Sequence, residues 1–131
     1  MFRKFLSGKI HRAVVTDCDV DYVGSITIDA ALLRETGILP GEAVLVADCE
    51  NGNRFETYVF EGEPGSGTIG VNGAAARLVE PGHHLIICAW AYLDAAEVDA
   101  HEARVVVVDE RNRVAQRLTY PTTLGEPAIG G

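Results

Sequence analysis

Turn signals break this chain so often that nothing longer than a short strand or a two-turn helix fits between them. Pro40-Gly41, Asn51-Gly52 and Pro81-Gly82 each stop an apolar run. Pairs of this kind supply the fixed or positive φ that a tight turn needs. The segments between them read as strands: Lys9 to Thr16, Ile26 to Ile28, Ala43 to Ala47, Arg54 to Phe60, Thr68 to Val71, Leu85 to Tyr92, and a last one from Val105 to Val108 before a turn near Asn112. Asn51-Gly52 marks the second and third of the longer runs as a hairpin. Asp29 is placed to cap a short helix through Leu32, Leu33 and Glu35, which Gly37 ends in a left-handed conformation. Asn72 is placed to cap a helix of one or two turns over Gly73 to Ala76, leaving the first amides without helical partners. No repeat occurs at solenoid spacing. The expectation is a mainly β chain, barrel or sandwich, with two or three short helices.

At 131 residues the chain has room for one domain, and with 47% hydrophobic residues it is too apolar for disorder over most of its length. Its formal charge of -8 opposes a nucleic-acid backbone or an anionic membrane as partner. The longest uncharged apolar run, Leu85 to Leu93, is nine residues, so no transmembrane helix is expected. Lys9, His11 and Arg12 interrupt the apolar start too early for a secretion signal, and a cytoplasmic address follows. Cys18, Cys49 and Cys88 form no C-x-x-C pair and read as reduced, mostly buried thiols. His83 and His84 are neighbours on a strand and point apart, so no metal site is expected from them. Residues beyond Thr119 read as a flexible tail over 119–131.

Charge is unevenly spread. Arg3, Lys4, Lys9 and Arg12 precede the first acid, Asp17, and this cationic strip reads as a solvated edge strand. Strict alternation puts Lys9, His11, Ala13 and Val15 on one face of it. By the same rule Arg54, Glu56 and Tyr58 share a face of their strand.

Four segments in order, Gly8-Lys9-Ile10-His11-Arg12, Tyr22-Val23-Gly24-Ser25-Ile26-Thr27-Ile28-Asp29, Asn51-Gly52-Asn53-Arg54-Phe55-Glu56-Thr57-Tyr58 and Val71-Asn72-Gly73-Ala74-Ala75-Ala76, together resemble the pyruvoyl-dependent aspartate 1-decarboxylases over roughly residues 1–115. The resemblance implies a double-psi β-barrel assembled as a homotetramer, with sites between subunits. It implies one decarboxylase domain over 1–118, cut by itself between Gly24 and Ser25 into chains 1–24 and 25–131. The cofactor implied is a covalent pyruvoyl group derived from Ser25, with neither pyridoxal phosphate nor metal. Some members need a helper protein for maturation.

The chemistry of that implied site is coherent. Decarboxylation leaves a carbanion, and no ordinary side chain is an electron sink for it; a ketone made from Ser25 is one. The resemblance makes Ser25 and Tyr58 catalytic, Tyr58 as proton donor, and Gly24-Ser25 the cleavage site. It makes Lys9, Arg54, Thr57, Gly73, Ala74 and Ala75 substrate contacts, with His11, Tyr22 and Asn72 in support. Lys9 and Arg54 suit the two carboxylates of L-aspartate, in charge-assisted bonds of about 1.5–3 kcal/mol each. Two departures from the family pattern stand out: His83-His84 where an acid follows the glycine, and Glu102-Ala103 where a proline precedes Val105. Rival readings are a pyruvoyl decarboxylase of a related acid such as glutamate, and an unprocessed, non-catalytic β-barrel module.

Overall fold

A computed structural model describes residues 1–125. Nine strands are joined in one sheet order: β1 (Arg3–Val14), β2 (Asp17–Asp19), β3 (Ser25–Asp29), β4 (Ala43–Asp48), β5 (Arg54–Gly62), β6 (Ile69–Asn72), β7 (His84–Leu93), β8 (Glu102–Val108) and β9 (Val114–Pro121). The order across the sheet is β2-β6-β3-β5-β4-β7-β1-β8-β9. Three pairs, β1·β8, β2·β6 and β3·β5, are parallel and the other five antiparallel, and the whole curls round a core, consistent with the double-psi β-barrel expectation. Two short helices, α1 (Ala30–Thr36) and α2 (Ala95–Val98), and a 3-10 turn at Gly73–Arg77 complete it.

The core is aliphatic and comes mainly from the inward-facing residues of β1, β3, β4, β5, β6 and β7. Ile10, Ile26, Ile28, Val46, Val59, Ile69, Leu85 and Ile87 are fully enclosed. Each such side chain contributes roughly 1.5–3 kcal/mol on leaving water.

Local chemistry explains the helix. Asp29 caps α1 through the amide of Ala31 at 2.8 Å, and Gly37 closes it at φ 78° with its amide on Leu33 O. The same Asp29 carboxylate also accepts from the amides of Gly65 at 2.9 Å and Gly67 at 2.8 Å. Burial alone would raise its pKa, but these three backbone donors prevail and hold it below the usual range.

Several expectations need correction. The cationic strip is not an edge strand: β1 lies between β7 and β8, and the edges are β2 and β9. Nor does alternation run unbroken along it. Arg12 sits at φ 67° in a bulge between His11 and Ala13, so Ile10, Ala13 and Val15 are all buried while Lys9 and His11 belong to the outer face. Val105 to Val108 is not the last strand, since β9 pairs with β8 from Val114 to Pro121. Residues 119–121 therefore belong to a strand and not to the tail, whose last residues, 126–131, lie outside the described part. The thiols are less buried than expected, with Cys49 exposed and Cys18 and Cys88 half-buried. Among the described residues no helix is long and apolar enough to cross a membrane.

Candidate active site

Ser25 opens β3 fully buried, while Gly24 before it is exposed. Its antiparallel partner is Asn72, the last residue of β6. The Ser25 hydroxyl donates to Val23 O at 3.3 Å and accepts from Asn72 Nδ2 at 3.0 Å. Asn72 was expected to cap the turn that follows, but its side chain makes no capping bond. It is directed to Ser25 instead, because register places the two opposite each other. Gly73 turns the chain at φ 76°, and a Cβ there would come within 2.6 Å of Gly24 Cα and 3.4 Å of Tyr22 O. Only glycine allows the two segments this approach. Gly73 is thus buried against Gly24; Ala74 is exposed, Ala75 half-buried and Tyr22 exposed, all beside the same junction.

The next strand brings Tyr58 level with Ser25. In the parallel pair β3·β5, Ile26 matches Val59, so Ser25 and Tyr58 are the residues immediately preceding on adjacent strands. Tyr58 is 41% exposed and stacks edge-on against Phe60 with centroids 5.5 Å apart. Arg54, Glu56 and Tyr58 share the exposed parity of β5, as alternation predicts. Thr57 does not join them. It pairs with the buried Val44 on the inward parity of the same strand.

Lys9 and His11 lie further round the outer face. Cross-strand rows run Arg54–Ala47–Ile86–His11 and Glu56–Leu45–Cys88–Lys9. Three strand spacings separate the ends of each row, about 14 Å. Lys9 Nζ lies 6.0 Å from the Tyr120 ring of β9. His11 is pushed below its ordinary pKa by burial first, then by Lys9 and Arg12, and its Nδ1 is buried without a partner among the described residues. A neutral imidazole with an unused nitrogen therefore stands beside two cations.

Within one chain, then, two groups form. Ser25, Gly24, Asn72, Gly73, Tyr22 and Tyr58 gather at the start of β3, whereas Lys9 and His11 lie on β1, with β5, β4 and β7 intervening. Among the described residues, three concavities do not include Ser25: one of about 380 Å³ is lined by Met1, Leu93 and Val98, one of about 310 Å³ by Leu33, Ile38 and Leu39, and one of about 260 Å³ by Lys4, Leu45 and Trp90. Sequence reasoning missed Thr27, Phe60 and Tyr120. Parity would have found Phe60 beside Tyr58, but Tyr120 depends on β9, which was not expected.

The two histidines do point to separate partners. His83 Nδ1 meets Asp48 Oδ2 at 2.6 Å, and His84 bridges Glu50 at 2.6 Å and Glu110 at 2.9 Å. Asp48, Glu50 and His83 together bring ligand-type atoms within 4.8 Å of one another, a grouping that the adjacent-histidine argument did not consider. Its carboxylates are engaged by the imidazoles.

Comparison with known proteins fits this geometry. The chain is 50% identical over 120 residues to the aspartate 1-decarboxylase of Neisseria meningitidis serogroup C, covering 92% of this chain and 94% of the relative. It is 50% identical over 114 residues to the aspartate 1-decarboxylase of Listeria monocytogenes serotype 4a, covering 87% and 90%. The sequence model of the family described as aspartate decarboxylase matches residues 1–115, which include Lys9, Ser25, Arg54, Tyr58 and Asn72, so the chain belongs to the aspartate decarboxylase family.

Proposed function

We propose that the chain is a precursor that cuts itself between Gly24 and Ser25, becomes pyruvoyl-dependent, and decarboxylates L-aspartate to β-alanine and carbon dioxide in the cytoplasm, supplying pantothenate and coenzyme A synthesis. The observation that carries this reading is the Ser25 hydroxyl, 0% exposed and held by Asn72, directly after an exposed glycine. Gly24 offers its carbonyl carbon without a side chain in the way.

Ser25 Oγ attacks Gly24 carbonyl carbon, the C–N bond between the residues breaks, and the freed amine stays on Ser25 Cα. Loss of the Cα proton expels Oγ with Gly24 as a carboxylate. Water then replaces the nitrogen, releasing ammonia and leaving a ketone at residue 25. Ser25, Gly24 and the close passage of Gly73 fit such a group, which is made from the chain and needs no binding pocket of its own. When present, it supplies the electron sink that the carbanion requires.

The other residues bind, orient and move a proton. Lys9 and Arg54 attract the carboxylates of aspartate in a protein whose overall charge of -8 would repel them. Tyr58, level with Ser25, returns a proton to the substrate Cα. Thr57 and the backbone of Gly73, Ala74 and Ala75 contact substrate, with His11, Tyr22 and Asn72 in support. The reading calls for neither pyridoxal phosphate nor a metal, nor for nucleic acid or membrane. The decarboxylase domain, expected over 1–118, extends through β9 to Pro121. Three strands lie between β3 and β1, which supports a homotetramer in which a neighbouring copy brings Lys9 to Ser25.

Intact mass of the purified protein tests this directly. Chains 1–24 and 25–131 are expected, the larger without a free amine, and borohydride with aspartate should trap it covalently. A single uncut chain without carbon dioxide release would support the non-catalytic module, and faster turnover of glutamate would reassign the substrate, since one methylene changes discrimination by only about 1–3 kcal/mol. If cutting occurs only in extract, a maturation helper is required.

A further inference from the structure

The Asn72 amide serves two hydroxyls. Its Nδ2 donates to Ser25 Oγ at 3.0 Å and to Thr27 Oγ1 at 3.2 Å. Ser25 and Thr27 are two residues apart on β3 and so share a face, which lets one side chain from β6 reach both. Because the Ser25 proton is committed to Val23 O, the amide must turn its NH2 side towards Ser25.

Thr27 is itself fixed. A Cβ at Gly62 would lie 3.2 Å from Thr27 Cγ2 and 3.1 Å from Ile28 O, so the absent side chain at Gly62 leaves the room that the threonine methyl uses. A β-branched residue with its methyl placed has its hydroxyl placed too. Gly62, Thr27, Asn72 and Ser25 thus form a chain of orientation running across β5, β3 and β6.

The self-cleavage reading, on which this inference rests, removes one end of that chain. Ser25 Oγ departs in the carboxylate of Gly24, and the amide loses the acceptor at position 25 while Thr27 Oγ1 stays. We propose that Thr27 is a positioning residue that acts through Asn72: it holds the amide against the Ser25 hydroxyl before the cut and keeps it aimed at position 25 afterwards.

The test compares Thr27→Val, Thr27→Ser, Asn72→Ala and the Thr27→Val/Asn72→Ala double variant with the parent chain. Fragment formation is followed by intact mass, then kcat and KM for aspartate on fully cut protein, with thermal unfolding as the check on folding. Thr27→Val should slow fragment formation and lower kcat by about ten-fold each, the loss of one oriented hydrogen bond, while KM stays within about two-fold. Thr27→Ser should restore both rates, and Thr27→Val should add nothing once Asn72 is alanine. Parent-like rates in Thr27→Val, no restoration by serine, or an undiminished penalty in the Asn72→Ala background would each overturn the role of Thr27 alone. If Thr27→Val does not fold, Thr27→Ala is judged by the same criteria. A parent chain that never cuts overturns the self-cleavage reading and this inference with it.

Discussion

Tyr58 shows how much one residue's role depends on its strand neighbours. Its ring is braced edge-on by Phe60, and its backbone stands level with Ser25 because β3 and β5 run parallel in the register Ile26 to Val59. Tyr58→Phe keeps the ring and removes the hydroxyl proposed as proton donor. We expect kcat to fall by about 100-fold or more, in the range that positioned acids contribute, with chains 1–24 and 25–131 still formed. Equal kcat for the two proteins in a carbon dioxide assay would remove Tyr58 from the reaction. The parity of Arg54, Glu56 and Tyr58 was legible from alternation alone. The level of Tyr58 with Ser25 was not, since parallel register between segments some thirty residues apart leaves no local trace.

At the scale of elements, Asp29 links α1 to the loop that returns to β6. It is 1% exposed and accepts three backbone hydrogen bonds, from Ala31, Gly65 and Gly67. Asp29→Ala orphans those amides and should cost about 2–4 kcal/mol in denaturant unfolding, the sum of a lost cap and unsatisfied buried donors. Because its native pKa lies below the usual aspartate range, its contribution is present above that range and is lost as pH falls through the lowered value. The variant should therefore unfold with a weaker acid dependence than the parent, and parallel acid profiles would contradict the assignment. The cap, the left-handed Gly37 and the Asn51-Gly52 hairpin could be read from local sequence because their causes are local. The bulge at Arg12 could not: the left-handed arginine belongs to the register shift against β7, and it reverses the parity of Ala13 and Val15.

Across the whole molecule, separate turns are tied together by imidazole–carboxylate pairs. His84 at the start of β7 joins Glu50 in the β4–β5 turn to Glu110 in the β8–β9 turn, and His83 joins Asp48 with Glu80 nearby. The His84 pKa is raised, first by the bond to Glu50, then by Glu110, against burial and Arg12, while the His84 side chain draws Glu50 down to about 2. His83 is raised first by its bond to Asp48. The stabilisation is therefore complete below the ordinary histidine range and lost as pH rises through the raised values; on the acid side it persists until Glu50 protonates. Thermal midpoints should fall as pH rises from the ordinary histidine range through the raised values, and His84→Gln should flatten the fall; an unchanged profile would show the bridge to be without effect on stability. Residue order and turn chemistry were enough to specify a mainly β chain, its first helix, the Asn51-Gly52 hairpin and the segments bearing Ser25, Arg54 and Tyr58, because each follows from interactions within a few residues. Packing alone decided that β1 is central, that β9 brings Tyr120 over Lys9, and that Asn72 turns from capping to Ser25. These are contacts between segments far apart in the chain, and their energies exist only once the barrel has closed.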